Sequence, residues 1–198
     1  MKGKKLAAKI MLGLLLATPY GFNQAFAAEL TLNSAEDVTA IDGSDWDAGG
    51  FPMDIAYKKG TQGNKIIINT NDNSLADKSI AGGYSSGAKR EISNNTIIMN
   101  SGVVKGLYAG YSSGACSVVE NNKIIINGGT VTNYIYFATT AGDLSGLKNN
   151  SITLKNDANV STAAITATNN GSISNQTLIL DGWTGSTVKS IKKLIIYN

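Results

Sequence analysis

A seven-residue phrase returns down this chain at a nearly constant interval. Gly63-Asn-Lys-Ile-Ile-Ile-Asn69 comes back as Asn94-Asn-Thr-Ile-Ile-Met-Asn100 and as Asn121-Asn-Lys-Ile-Ile-Ile-Asn127. It persists in altered form as Asn149-Asn-Ser-Ile-Thr-Leu-Lys155 and Asn175-Gln-Thr-Leu-Ile-Leu-Asp181. A period near 27 residues means one structural unit stacked on itself, since a single unit of that size cannot bury its own apolar face.

The columns of the repeat define faces. Ile66 and Ile68 align with Ile97 and Met99, Ile124 and Ile126, Ile152 and Leu154, and Leu178 and Leu180. Strand side chains alternate, so both members of each pair point the same way, toward a core. The residues between them, Ile67, Ile98, Ile125, Thr153 and Ile179, belong on the outer face. A second column, Ile92, Val119, Leu147 and Ile173, precedes the Asn pair, and a third, Ile80, Leu107 and Ile135, lies twelve residues earlier. Three apolar stations per coil predict three short strands. No stretch has the 3.6-residue period of a helix. The expected fold is all-β, a parallel β-helix of about five coils and on the order of 25 Å long.

Glycine and asparagine mark the corners. Gly82, Gly83 and Gly110 precede the Tyr-Ser-Ser-Gly-Ala phrases, and Gly102, Gly128 and Gly129 follow the Asn-ended strand. Both residue types tolerate positive φ. Asn95, Asn122, Asn150 and Gln176 form one file, in which each amide can bond to its equivalent in the next coil.

Composition bounds the organisation. Residues 1–27 read as a cleaved secretory signal: Lys2, Lys4, Lys5 and Lys9, a short apolar run from Ile10 to Ala17, and Ala25-Phe26-Ala27 before Ala28. Pro19, Tyr20, Asn23 and Gln24 interrupt the run too early for a membrane span, so the mature chain is expected to have no transmembrane helix. Of 17 basic residues, four leave with that signal, so 13 basic face 14 acidic side chains and nucleic-acid binding loses its support. Residues 28–62, with Trp46, Pro52 and the acidic Asp42-Gly-Ser-Asp45-Trp-Asp47, are expected to be an N-terminal cap and first coil, and 63–198 the repeats. The last residues, Leu194-Ile-Ile-Tyr-Asn198, stop inside what reads as a strand, which suggests truncation.

The pattern of Ala81-Gly-Gly-Tyr-Ser-Ser-Gly87, Asn94-Asn-Thr-Ile-Ile-Met-Asn-Ser-Gly102 and Val103-Val-Lys-Gly-Leu-Tyr108 resembles repeats of bacterial autotransporter passengers and adhesin-like proteins. The resemblance covers roughly residues 63–198. It implies a right-handed β-helix on the surface of a Gram-negative-type bacterium, a non-catalytic role in adhesion or display, and a glycan or protein partner. It also implies a C-terminal outer-membrane barrel, which these residues do not contain, so further coils or a barrel would lie beyond them.

Chemistry-bearing residues are sparse. Parallel β-helices also resemble polysaccharide lyases and hydrolases, whose sites gather carboxylates because one donates a proton while another attacks or activates water. Here Asp72, Asp77, Glu91, Glu120, Asp143, Asp157 and Asp181 are scattered, Arg90 is the only Arg in the repeats, and there is no His. Cys116 is the only cysteine and has no His to act as its base. No catalytic residue and no cofactor are therefore assigned, with the carbohydrate-active enzyme and the inert spacer as alternatives. Asp42, Asp45 and Asp47 are the one metal candidate, against the reading of an acidic turn, because calcium needs six to eight oxygens. Tyr84 and Tyr111 occupy equivalent positions, and Tyr134, Tyr136 and Phe137 add rings one coil further on. Tyr84, Tyr111 and Tyr136 are candidate surface contacts, unless the rings simply stack on one another.

Overall fold

β-branched residues suit a pleated, half-buried surface, and each Ile-rich phrase forms a strand in the protein. The structure, a computed structural model, describes residues 28–34, 36–37, 46–47, 54–57, 61–85, 90–112, 116–140, 146–166, 172–185 and 190–191. The signal at 1–27, Asp42, Asp45 and the strand expected at 194–198 lie outside them. Among the described residues no helix is long and apolar enough to cross a membrane.

The strands stack into four walls with parallel pairing in each. The first wall is Glu29–Leu32, Lys65–Asn69, Thr96–Ser101, Lys123–Ile126, Ser151–Lys155 and Thr177–Asp181. The second is Ser79–Ala81, Val103–Tyr108, Thr130–Tyr136, Ala164–Thr166 and Ser190–Ile191. The third is only two residues deep: Tyr84–Ser85, Tyr111–Ser112 and Thr139–Thr140. The fourth is Arg90–Ser93, Cys116–Glu120, Gly146–Lys148 and Ser172–Ser174. A short antiparallel pair, Trp46–Asp47 with Ala56–Tyr57, stands outside this pattern.

The chain is thus an all-β parallel solenoid. Three complete turns carry a strand in all four walls, with partial turns beyond them, where about five coils were expected. Each turn has four strands rather than three. The third wall escaped the apolar count because its inward residues are Ser85 and Ser112, which are buried although polar.

The predicted files hold. Ile124 pairs with Ile97 on one side and Ile152 on the other, and Ile66 and Leu178 extend the same row. The inward pairs from Ile66 to Leu154 are fully buried and join Leu107, Val131, Ile135 and Ile165 in one core. Each such side chain contributes on the order of 1.5–3 kcal/mol. The fifth pair departs from expectation. Thr177–Asp181 is the outermost described strand of its wall, and Leu180 is 58% exposed.

The corners divide the labour between two chemistries. The residue before each amide of the file is left-handed: Asn94, Asn121, Asn149 and Asn175 have φ of 59, 56, 53 and 52°, and Gly63 holds the same place at 70°. Gly102 and Gly129 are left-handed at the opposite corner, at 91 and 84°. Gly82, Gly83, Gly110 and Gly128 do not have positive φ, contrary to the corner reading. They answer to space instead. A Cβ on Gly83 would lie 2.3 Å from Asn95 Nδ2, and one on Gly110 would lie 2.5 Å from Val119 Cγ1. The inward face of the fourth wall fills that volume.

Gly110→Ala should therefore destabilise the fold by about 1–3 kcal/mol through overpacking, measured by denaturant unfolding. Asn121→Gly should be tolerated, whereas Asn121→Ala should cost about 1–2 kcal/mol for a Cβ in the left-handed region.

Candidate functional site: the tyrosine flank and the buried amide file

The amide file forms as its spacing predicts, and it runs from Asn64 through Asn150. Asn64 Nδ2 donates to Asn95 Oδ1 at 2.9 Å, Asn95 Nδ2 to Asn122 Oδ1 at 2.8 Å, and Asn122 Nδ2 to Asn150 Oδ1 at 2.9 Å. Each acceptor oxygen also receives the preceding residue's backbone N–H, as in Asn95 N to Asn122 Oδ1 at 3.0 Å. The second amide hydrogen goes back one coil, from Asn95 to Thr61 O, from Asn122 to Ile92 O and from Asn150 to Val119 O. Asn95, Asn122 and Asn150 are fully buried. A buried amide has four bonding positions to satisfy, and Asn122 satisfies all of them within the file.

Gln176 joins and ends this row. It accepts from Asn150 Nδ2 at 3.1 Å, but its own Nε2 turns back to Ser174 O at 2.7 Å. The extra methylene of Gln gives the amide the reach to fold back. Past the other end of the strand Thr177–Asp181, the indole N–H of Trp183 donates to Ala158 O at 2.8 Å, and its ring packs against the core.

A second amide row runs along the outside and was not anticipated. Asn69 Nδ2 donates to Asn33 Oδ1, Asn100 Nδ2 to Asn69 Oδ1, and Asn127 Nδ2 to Asn100 Oδ1, at 3.2, 2.7 and 2.7 Å. Its amide-to-amide donors point toward the N-terminus, whereas the amide-to-amide donors of the buried file point toward the C-terminus. The signal was in the sequence, because every strong copy of the phrase ends in Asn.

The candidate contact residues fall on one outer flank, where the second and third walls meet. Tyr84 and Tyr111 face each other across neighbouring coils, with ring centroids 5.8 Å apart and planes 19° from parallel. Tyr136 does not join them directly. It stacks on Tyr108 at 4.8 Å and 12°, and Tyr108 meets Tyr111 edge-on at 6.0 Å. Tyr134 completes the row, 5.5 Å from Tyr136 and 38% exposed. Sequence reasoning missed Tyr108, though it follows the inward Leu107 and precedes its in-register partner Tyr136 by one coil. Phe137 is a correction. It lies just past the strand end at Tyr136, turns inward and is only 6% exposed, which continues the alternation of the strand.

The rings spend much of their facing area on one another, which favours the internal-stacking reading for most of the row. Tyr84, Tyr108 and Tyr111 lie over buried Ala56 and Ala81. Burial pushes the Tyr108 phenol up to about 12, and the neighbouring phenols of Tyr136, Tyr111 and Tyr134 add to it. The same burial raises Tyr111 and Tyr136. A bulge lies next to this cluster: the pairing of Thr130–Tyr136 with Val103–Tyr108 shifts between Val131 and Tyr134.

The metal candidate falls outside the described side chains. Asp42 and Asp45 lie outside the described residues, and Asp47 lies in a short strand whose side chains are likewise outside them. Among the described residues, no three His, Cys, Asp or Glu side chains gather as a metal site. Asp181 pairs with Lys155 at 2.8 Å and Asp77 with Lys78 at 2.9 Å. Cys116 lies in a fourth-wall strand. Comparison with protein-family models, with curated proteins and with solved structures gives no match to this chain.

Replacing Asn122 with Leu should cost several kcal/mol, because it strands the Asn95 donors and two acceptors at about 1–3 kcal/mol for each buried group. Asn100→Ala, in the exposed row, should cost about 1 kcal/mol or less. Equal losses in urea unfolding would refute this difference. Tyr108 retains its proton to higher pH in the folded state than in the unfolded chain. The folded state therefore binds more protons between the ordinary tyrosine value and about 12, and stability should fall across that window as pH rises. Phenolate absorbance should show one tyrosine ionising last, and Tyr108→Phe should remove that step.

Proposed function

We propose that this chain is a non-catalytic exported surface module of the autotransporter-passenger kind, serving adhesion or display. The observation that carries this reading is the outward tyrosine flank, mounted on a stack whose buried polar groups are largely consumed in holding the coils together. A rigid solenoid projects its flank at fixed spacing, and each coil contacts only its neighbours, so side chains on the outer face can change without altering the core. Half-exposed phenols offer apolar edges and hydroxyls in one strip, a surface that suits a glycan or a protein partner. Export is supported by the basic start, the short apolar run and the Ala-x-Ala site before Ala28.

Two measurements test the reading. N-terminal sequencing of the protein recovered from the cell surface should begin at Ala28. The purified protein should bind bacterial cells or host matrix, and Tyr84→Ala with Tyr111→Ala should weaken that binding at least tenfold while β circular dichroism is retained. Specific release of reducing or unsaturated sugars from a polysaccharide panel would overturn the non-catalytic assignment. Undetectable binding to every cell and matrix surface would leave a spacer.

A further inference from the structure

Five of the chain's eight tyrosines lie in one unbroken row, each ring centroid within 6.0 Å of the next: Tyr84, Tyr111, Tyr108, Tyr136 and Tyr134. Two contacts in this row join different coils as near-parallel stacks, Tyr84 on Tyr111 and Tyr108 on Tyr136. These pairs are also strand partners in register. Partners on parallel strands leave the sheet in the same sense. Near-parallel rings with centroids 5.8 and 4.8 Å apart set the two phenols of each pair side by side across the coil boundary.

We propose that this row is a site of oxidative cross-linking, in which a peroxide-driven one-electron oxidant joins Tyr108 to Tyr136, and secondarily Tyr84 to Tyr111, as dityrosine. Each phenol loses one electron and its hydroxyl proton to give a phenoxyl radical. The two radicals form one carbon–carbon bond between ortho positions. The two ortho hydrogens then move to the phenol oxygens and restore both aromatic rings. Each link removes two protons and two electrons in all, and these reduce one hydrogen peroxide to two waters through a peroxidase or a haem catalyst.

The placement favours the Tyr108–Tyr136 pair on three grounds. Its rings are the nearest and most nearly parallel of the row. Tyr134, the most exposed large aromatic among the described residues, adjoins Tyr136 and gives an oxidant its point of entry. The backbone ladder between these strands is also interrupted beside the pair, where the register shifts between Val131 and Tyr134. A covalent link there would span the one bulged joint among the described pairings of the second wall, binding the second complete turn to the third.

The test treats dilute, folded, full-length protein with horseradish peroxidase and stoichiometric hydrogen peroxide. The expected product is a monomer about 2 Da lighter for each link, with dityrosine fluorescence and a linked peptide pair containing Tyr108 and Tyr136. Its thermal midpoint should lie above that of untreated protein. Tyr136→Phe and, separately, Tyr108→Phe should each abolish that peptide pair. Tyr134→Phe should slow its formation at least threefold while leaving the product unchanged. The Phe variants keep the rings, and retained β circular dichroism confirms that they are folded. Absence of the 2 Da loss overturns the proposal. So do links only between molecules, or links confined to Tyr20, Tyr57 or Tyr197.

Discussion

Everything in this fold depends on coils meeting their neighbours in register. In a parallel solenoid the backbone groups of a wall bond along the stack, so a coil cannot satisfy its own strands. A slip of one residue would also turn every Ile file from core to solvent. Burial of the Ile, Leu and Val files supplies most of the stabilisation, but a greasy interior is a poor ruler. The buried amide file provides the ruler, because Asn122 can satisfy its groups only when Asn95 and Asn150 stand directly to either side of it.

The corners protect that alignment. A left-handed Asn, or Gly63 before Asn64, turns the chain into the first wall, and its neighbour's side chain then points into the stack. One dipeptide thus does two jobs, a bend and a register lock. Across the coil, Gly83 and Gly110 allow the turn into the third wall to approach the amide file. In the next coil Ala138 stands in the corresponding place and packs with Val119 and Leu147. The interior tolerates a Cβ there only where the surrounding file permits it.

Much of this was legible before any coordinates. The Ile pairs, the amide file and the twelve-residue offset to Leu107 all follow from alternation and a fixed period. The third wall was not legible, because its inward residues are serines and apolar counting passes over them. The glycines were read as corners by residue type alone, yet only three-dimensional crowding separates Gly102, which needs its φ, from Gly110, which needs its missing side chain. The tyrosine flank was half legible. Equivalent positions tied Tyr84 to Tyr111, but the contact between Tyr108 and Tyr136 depended on a bulge that no spacing rule announces.

The two amide rows have opposed polarity, one concealed and one exposed. Aligned amide dipoles in a single row would add along the solenoid axis, as peptide dipoles do along a helix, and would leave partial charge at its tips. The exposed row, of opposite sense, offsets part of that alignment. Stacking by side-chain amides can therefore be extended coil after coil with less electrostatic polarisation accumulating at either extremity.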